Sequence, residues 1–353
     1  MEIEICWCTI TFAVLIFIIG FYYIGYLIKV SMGPKRSFKD LKNKHVVITG
    51  GSSGIGKASA LEAAKLGANV TIIGRDVQRL KNAVNEIIQK VAPANNQNIQ
   101  YVALDITSGY DSVEKCFSNI EATLGPIFML INCAGMCICG VFEDMKADDV
   151  KHMMDLNFFG TADPTKYVLS AMKKRNEGRI VFVTTEAALM GIYGYSAYGA
   201  SKWAVRGLAE AINMEAIGTN VQVTLAFPPD TETPGFEKEE LTKPTVTKLI
   251  SGSGGLWKPD DVGKKIVHDA MAGKLYSTFG STGKMLEILN CNGISSIWQV
   301  LTQCVFMGGL RFIMVFVLTN FYAIVNNDLA EKLISPNVKV EENTCTEEKN
   351  KDK

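Results

Sequence analysis

The stretch His45-Val46-Val47-Ile48-Thr49-Gly50-Gly51-Ser52-Ser53-Gly54-Ile55-Gly56 decides the fold. A short β-branched run ends abruptly in glycine, and a helical pattern opens directly behind it. Gly50, Gly54 and Gly56 permit a tight turn and let the backbone approach a pyrophosphate at the helix N-terminus. Glycines alone are weak evidence, since ordinary turns use them too. Placed between a strand and an amphipathic helix, they read as a dinucleotide site.

Outward from this stretch, residues 44–274 alternate apolar strand runs with helical periodicity. The runs at 45–49, 69–73, 99–104, 127–132, 179–184 and 220–226 predict strands. The stretches 55–66, 77–91, 111–124, 144–174 and 197–217 between them predict helices. Strict alternation with apolar strands means a parallel sheet covered on both faces, an α/β fold of the Rossmann-type doubly wound class. Ligands bind such sheets beyond the carboxyl ends of the strands.

The unusual residues fall at those ends. The second strand ends Ile72-Ile73-Gly74-Arg75, and Asp76, the nearest acid for a ribose hydroxyl, follows a basic residue. Arg75 and Arg79 lie one helical turn apart, which suits a 2′-phosphate and hence NADPH; two solvated surface arginines are the alternative. Asp105, ending the third strand, is placed to accept from an adenine amino group. The fourth strand ends Asn132-Cys133-Ala134-Gly135, small enough for a cofactor to lie over the sheet. Cys133, Cys137 and Cys139 raise the question of a metal, but no fourth ligand is nearby and the histidines are remote in sequence, so no metal is expected.

Tyr198-Gly199-Ala200-Ser201-Lys202 carries the strongest chemical signal. Tyr198 and Lys202 share a helical face. A neighbouring ammonium and a cofactor cation favour the phenolate, drawing the tyrosine down from about 10 into a useful range. Thr185 offers a hydroxyl at the end of the fifth strand, and Asn157 lies in the preceding helix.

Composition bounds the class. Lys plus Arg and Asp plus Glu are each 36, so the formal net charge is zero, which argues against a nucleic-acid partner. Nine cysteines without small-scaffold spacing read as reduced thiols in a cytosol-facing protein. Hydrophobic residues make up 48% of the chain, high for a purely soluble domain. The excess sits at the ends. Residues 5–28 carry no charge and span about 36 Å as a helix, enough to cross a bilayer. Six lysines and arginines between 29 and 44 follow, so residues 1–30 read as an anchor with the downstream domain in the cytosol.

A second apolar stretch, within 285–327, holds only Arg311 as a charge between 293 and 325. It is long for one span and short for two, and Gly308-Gly309 offers a break. A shallow hairpin, a re-entrant pair, two short spans and a hydrophobic dimerisation helix all suit it. Residues 339–353 predict a solvated cytosolic tail, ending Lys349-Asn350-Lys351-Asp352-Lys353 in a pattern like the dilysine retrieval signal of the endoplasmic reticulum.

Taken together, T-G-x-x-x-G-x-G, N-x-A-G, the helical Asn157, the fifth-strand hydroxyl and Y-x-x-x-K resemble the short-chain dehydrogenase/reductase family over residues 42–274. The resemblance implies an NADPH-dependent oxidoreductase acting on a ketone–alcohol pair. Tyr198 would protonate the developing alkoxide, Lys202 would bind the nicotinamide ribose, Thr185 would orient the carbonyl, and Asn157 would hold a water linking Lys202 to solvent. Gly50, Ser52, Ser53, Gly54, Ile55, Gly56, Arg75, Arg79, Asp105, Asn132 and Thr231 would line the cofactor with Tyr198 and Lys202. Thr185 departs from the usual serine and adds a methyl that restricts χ1.

Pro228-Pro229-Asp230-Thr231-Glu232-Thr233-Pro234-Gly235-Phe236 points, within that resemblance, to members acting on long-chain ketosphingoid lipids at the endoplasmic reticulum membrane. A homodimer through the helices flanking the fifth strand is also implied, restricted by the apolar additions. Residues 230–257 suit a lid over substrate or an ordinary surface loop. The competing functions are a membrane reductase for 3-ketoacyl-CoA, a steroid or retinal, and a weakly catalytic cofactor-binding scaffold.

Overall fold

The computed structural model describes residues 7–32, 37–91, 97–290, 293 and 297–334. Its centre is a seven-stranded sheet, wholly parallel, formed by β1 (His45–Thr49), β2 (Asn69–Gly74), β3 (Ile99–Ala103), β4 (Ile127–Asn132), β5 (Gly178–Val183), β6 (Val221–Phe227) and β7 (Tyr276–Thr278) in the order β3-β2-β1-β4-β5-β6-β7. The order reverses between β1 and β4, which opens a crevice at their carboxyl ends.

Alternate residues of each strand point to opposite faces, so a doubly covered strand must be apolar throughout. In β1, Val46 and Ile48 enter one core while Val47 enters the other, and all five residues are buried. Each fully buried aliphatic side chain of this kind contributes about 1.5–3 kcal/mol. The helices α2 (Gly54–Lys65), α3 (Val77–Val91), α4 (Tyr110–Leu124), α5 (Ala147–Met154), α6 (Gly160–Arg175) and α7 (Ser196–Glu215) connect the strands. Beyond β6 come α8 (Pro234–Thr242), α9 (Thr245–Ser251) and α10 (Pro259–Met271).

Three features depart from the sequence reading. The helix expected over 144–174 is two helices joined by a π-turn at Asp155–Phe159, which carries Asn157. The catalytic domain does not stop at 274: β7 adds a strand beside β6, and α11 (Gly280–Asn290) places Leu286 in the core. Three residues are too short a run for a periodicity to register.

The third departure concerns the C-terminal apolar region. No hairpin forms; α12 (Ile297–Ile334) is one continuous helix of 38 residues, about 57 Å at helical rise. Gly308 and Gly309 meet no neighbour that would force a bend, and two glycines without a proline cost a helix only about 1 kcal/mol each. Within α12, Trp298–Ala330 contains an 18-residue window of mean hydropathy 1.9 and is long and apolar enough to cross a membrane. One side of it, at Met314, Val317 and Leu318, packs on the catalytic core, while Phe306, Phe312, Ile313 and Phe316 face outward. The N-terminal helix α1 (Trp7–Met32) exposes almost every side chain over Ile10–Tyr26. The expected tail at 339–353 lies outside the described residues.

Candidate active site

The crevice is a groove of about 730 Å³ running from the β1–α2 turn past the end of β5 to α8 and α9. Its first wall is the glycine turn. Gly50 has φ +68°, and a Cβ there would lie 2.9 Å from the backbone of Ala134; a Cβ on Gly56 would meet the Gly50 carbonyl oxygen at 2.3 Å. Ser53 precedes α2 without a side-chain cap bond, leaving first-turn N–H groups unclaimed by a cap. Bare amides at a helix N-terminus, in a cradle that excludes side chains, fit a pyrophosphate.

Gly50, Ser52, Ser53, Gly54, Ile55, Gly56, Arg75, Arg79, Asp105 and Thr231 all line the groove, as do Thr185, Tyr198 and Lys202. Asp76 also lines the groove, and one of its carboxylate oxygens accepts from the Arg79 N–H at 3.0 Å in the first turn of α3. Asp105 accepts from the Thr107 N–H and hydroxyl at 3.0 and 2.8 Å and faces Arg75 at 3.9 Å. Burial alone would raise its pKa, but these bonds, with Arg75 and His152, hold it below the usual value. Thr231 donates its hydroxyl to the Pro229 carbonyl at 2.8 Å.

Asn132 is not brought to the groove. It is buried at the end of β4 and donates to the Thr165 hydroxyl at 3.0 Å, because its side chain falls on the face covered by α6. Asn157 is also buried behind the lining. Its amide is spent on the chain itself, accepting from Met136 N–H at 2.9 Å and donating to the Met136 carbonyl and the Ser201 hydroxyl at 2.9 and 2.8 Å. Its oxygen and the Lys202 ammonium share Gly135 as a neighbour: a Cβ there would lie 3.1 Å from both Asn157 Oδ1 and Lys202 Nζ.

Tyr198 and Lys202 project from α7 on one face. Tyr198 is hydrogen-bonded to Thr185, whose oxygen also accepts from the Ala187 N–H at 3.3 Å. Lys202 donates to the Val183 carbonyl at 3.1 Å. Burial lowers Lys202 to about 8, partly offset by Cys133 and Cys137. The expected depression of Tyr198 is reversed here: burial pushes it well above 10, Cys137, Glu239 and Asp230 add to that, and the bond with Thr185 opposes it. Desolvation of the phenolate outweighs the ammonium one turn away.

The acidic stretch 230–240 is plain in the sequence, but the partners it finds at the far end of the groove are not. Tyr195, edge-on to Tyr198 with ring centroids 5.6 Å apart, donates its hydroxyl to Glu239 of α8. Glu239 in turn accepts from Lys243 at 2.9 Å. The i,i+4 spacing of Glu239 and Lys243 was the available signal, though it usually marks a solvated helix face. Glu239 also brings an oxygen to Cys137 and Cys139, giving three potential metal-ligand atoms within 4.8 Å. The no-metal expectation rested on near neighbours in sequence, and this carboxylate comes from a distant helix. Burial pushes the Cys137 thiol up, away from the thiolate a metal needs.

The arrangement sets a proton donor, a hydroxyl and an ammonium around the open end of a dinucleotide-shaped groove, as reduction of a carbonyl requires. Residues 44–244 match the family model for short chain dehydrogenases. The chain belongs to the short-chain dehydrogenase/reductase family and is an oxidoreductase with a nicotinamide-dinucleotide groove. It is 42% identical over 318 residues to a protein of Danio rerio named 3-dehydrosphinganine reductase, covering 90% of this chain and 95% of that one. It is 42% identical over 317 residues to the 3-ketodihydrosphingosine reductase of Bos taurus, covering 89% and 95%. Among solved structures it resembles an alcohol dehydrogenase of Thermococcus sibiricus complexed with 5-hydroxy-NADP, with 25% identity, a TM-score of 0.53, and coverage of 63% of this chain and 87% of that one.

Proposed function

We propose that this chain reduces the keto group of 3-ketodihydrosphingosine to dihydrosphingosine with NADPH, at the endoplasmic reticulum membrane and from its cytosolic side. The observation that carries this is the 42% identity to two reductases of that ketone along nearly the whole of each chain. In this reading Tyr198 donates its proton to the carbonyl oxygen as the carbonyl carbon is reduced. Thr185 donates to the same oxygen and holds it against Tyr198. Lys202 binds the nicotinamide ribose hydroxyls and returns a proton toward Tyr198, and Asn157 fixes the floor beneath Lys202. A bound nicotinamide supplies the hydride.

The preference for NADPH rests on Arg75 and Arg79 at the adenosine end, with Asp76 already engaged in starting α3. Bidentate guanidinium groups suit a 2′-phosphate, and Asp76 beside them already has one carboxylate oxygen engaged by the Arg79 N–H. Helices α1 and α12 supply apolar surface beside a domain whose substrate keeps a long tail in the bilayer. The lysines and arginines after α1 favour a cytosolic domain. Asp230 and Glu239 at the groove speak against the phosphates of a 3-ketoacyl-CoA.

The test is NADPH oxidation by detergent-solubilised protein given 3-ketosphinganine, with NADH and a long-chain 3-ketoacyl-CoA as comparisons. Turnover with NADPH and the ketosphingoid base, and little with either comparison, is expected. Turnover of the acyl-CoA in preference would overturn the substrate assignment.

A further inference from the structure

The substrate end of the groove gathers more partly buried carboxylates than ammonium groups paired with them. Asp230, Glu239 and Glu240 surround a single ammonium, that of Lys243, at 3.7, 2.9 and 2.5 Å, and its side chain has 0% exposure. Lys248 reaches only Glu240, at 3.7 Å, from a half-exposed position. Glu239 accepts from both Lys243 and the Tyr195 hydroxyl on one oxygen, Oε1. Asp230 keeps one long ion pair and a bond with Ser251.

Glu186, directly after Thr185, lines the same groove and forms no ion pair among the described residues. Its backbone N–H donates to the Pro228 carbonyl at 3.3 Å, so the end of β5 and the loop bearing Asp230 lie side by side. Burial, reinforced by Asp230, pushes Glu186 up to about 7. Buried carboxylates without a counter-ion are costly, and a cationic ligand group would relieve them.

The same carboxylates act on the reacting oxygens. Asp230 and Glu239 oppose negative charge at Tyr198 and would oppose it equally on a carbonyl oxygen beside that hydroxyl. A positive charge held between them and the carbonyl would cancel this field at the point where charge develops. An acidic cluster alone would not identify a ligand. The independent pointer is the ketone named for the relatives, whose primary amine sits on the carbon next to the keto carbon. With the keto oxygen on Tyr198 and Thr185, that amine falls within a few ångströms of them, in the part of the groove that Glu186 and Asp230 also line.

Resting on the function proposed above, we infer that Asp230 and Glu186 form an ammonium subsite that selects ketones bearing an α-amino group. These are specificity-determining residues, distinct from the proton-transfer set.

The experiment compares kcat and KM of the full-length, detergent-solubilised protein on three substrates with NADPH: 3-ketosphinganine, its N-acetyl derivative, and the long-chain ketone lacking the amine. The amine-bearing ketone should exceed the other two in kcat/KM by about 10- to 100-fold, the range of a charge-assisted hydrogen bond. Asp230→Asn and Glu186→Gln should each shrink that ratio by on the order of tenfold, with the loss shared between KM and kcat. Equal turnover of all three ketones by the wild type would overturn the subsite and leave the reductase function standing. Turnover of none would overturn that function and the subsite with it. Should either variant fail to fold, as judged by circular dichroism, the wild-type ratio decides: a ratio near one rejects the subsite.

Discussion

Asn157 and Lys202 both border the space beside Gly135, where a Cβ would lie 3.1 Å from Asn157 Oδ1 and 3.1 Å from Lys202 Nζ. Three separate elements converge there: the π-turn at Asp155–Phe159, the helix α7 and the turn after β4. Gly135→Ala should therefore displace Lys202, the more flexible of the two neighbours. We expect kcat to fall by on the order of tenfold or more while the melting temperature stays within a few degrees, since a sub-ångström misplacement of a catalytic group is costly. Steady-state kinetics beside a thermal melt measures both.

In the proposed mechanism the Thr185 hydroxyl orients the carbonyl. Removing it in Thr185→Val should lower kcat by about 10²-fold, in the range found when one hydrogen-bond donor to a developing oxyanion is lost. Thr185→Ser keeps the oxygen and relieves the methyl, so its activity should equal or exceed that of the wild type. A Val variant as active as the wild type would remove Thr185 from the mechanism.

Arg75 is 62% exposed and contacts Asp105 at 3.9 Å, so the side chain is available to a phosphate at little structural cost. Arg75→Ala together with Arg79→Ala should raise KM for NADPH by on the order of tenfold or more and leave KM for NADH unchanged. Cofactor titration followed by fluorescence reads this independently of the lipid substrate.

Lys202 sets a pH limit. Burial lowers its pKa to about 8, so the charged form that would bind ribose is lost as pH rises through that value. kcat/KM for NADPH, which reports the free enzyme, should decline above pH about 8. Lys202→Arg, which stays protonated throughout, should abolish that decline at whatever activity it retains.

Asp269 joins α10 to the last strand, accepting from Lys265, Lys274 and Ser277 at 2.6, 2.7 and 2.7 Å. Burial alone would raise its pKa, but these three bonds hold it below the ordinary value. The unfolded chain therefore takes up this proton at a higher pH than the folded one. The stabilisation is present above pH about 4 and is lost as pH falls through the folded pKa. Asp269→Asn should cost about 2–3 kcal/mol at neutral pH, and the deficit should shrink in acid. Urea melts at two pH values test it.

Much of this was legible because the strands are buried on both faces. A run such as Ile127-Phe128-Met129-Leu130-Ile131-Asn132 leaves few alternatives to a central strand, and the glycines before α2 sit where the chain has no room for a Cβ. The residues that escaped are those whose meaning depends on distant partners. Asn132 looks like a groove residue until Thr165 claims it. Glu239 and Lys243 look like a solvated pair until Tyr195, Asp230 and two cysteines close around them. The continuity of α12 depended on what Gly308 and Gly309 would touch, and they touch nothing.

The most direct measurement of the central claim is isotopic. The full-length protein is given 3-ketosphinganine and NADPH deuterated at the transferable position, and the product is examined by mass spectrometry. Dihydrosphingosine carrying one deuterium at the former keto carbon is predicted for the wild type, with none above background for Tyr198→Phe. A product without deuterium, or undiminished labelling by the Tyr198→Phe protein, would contradict the account.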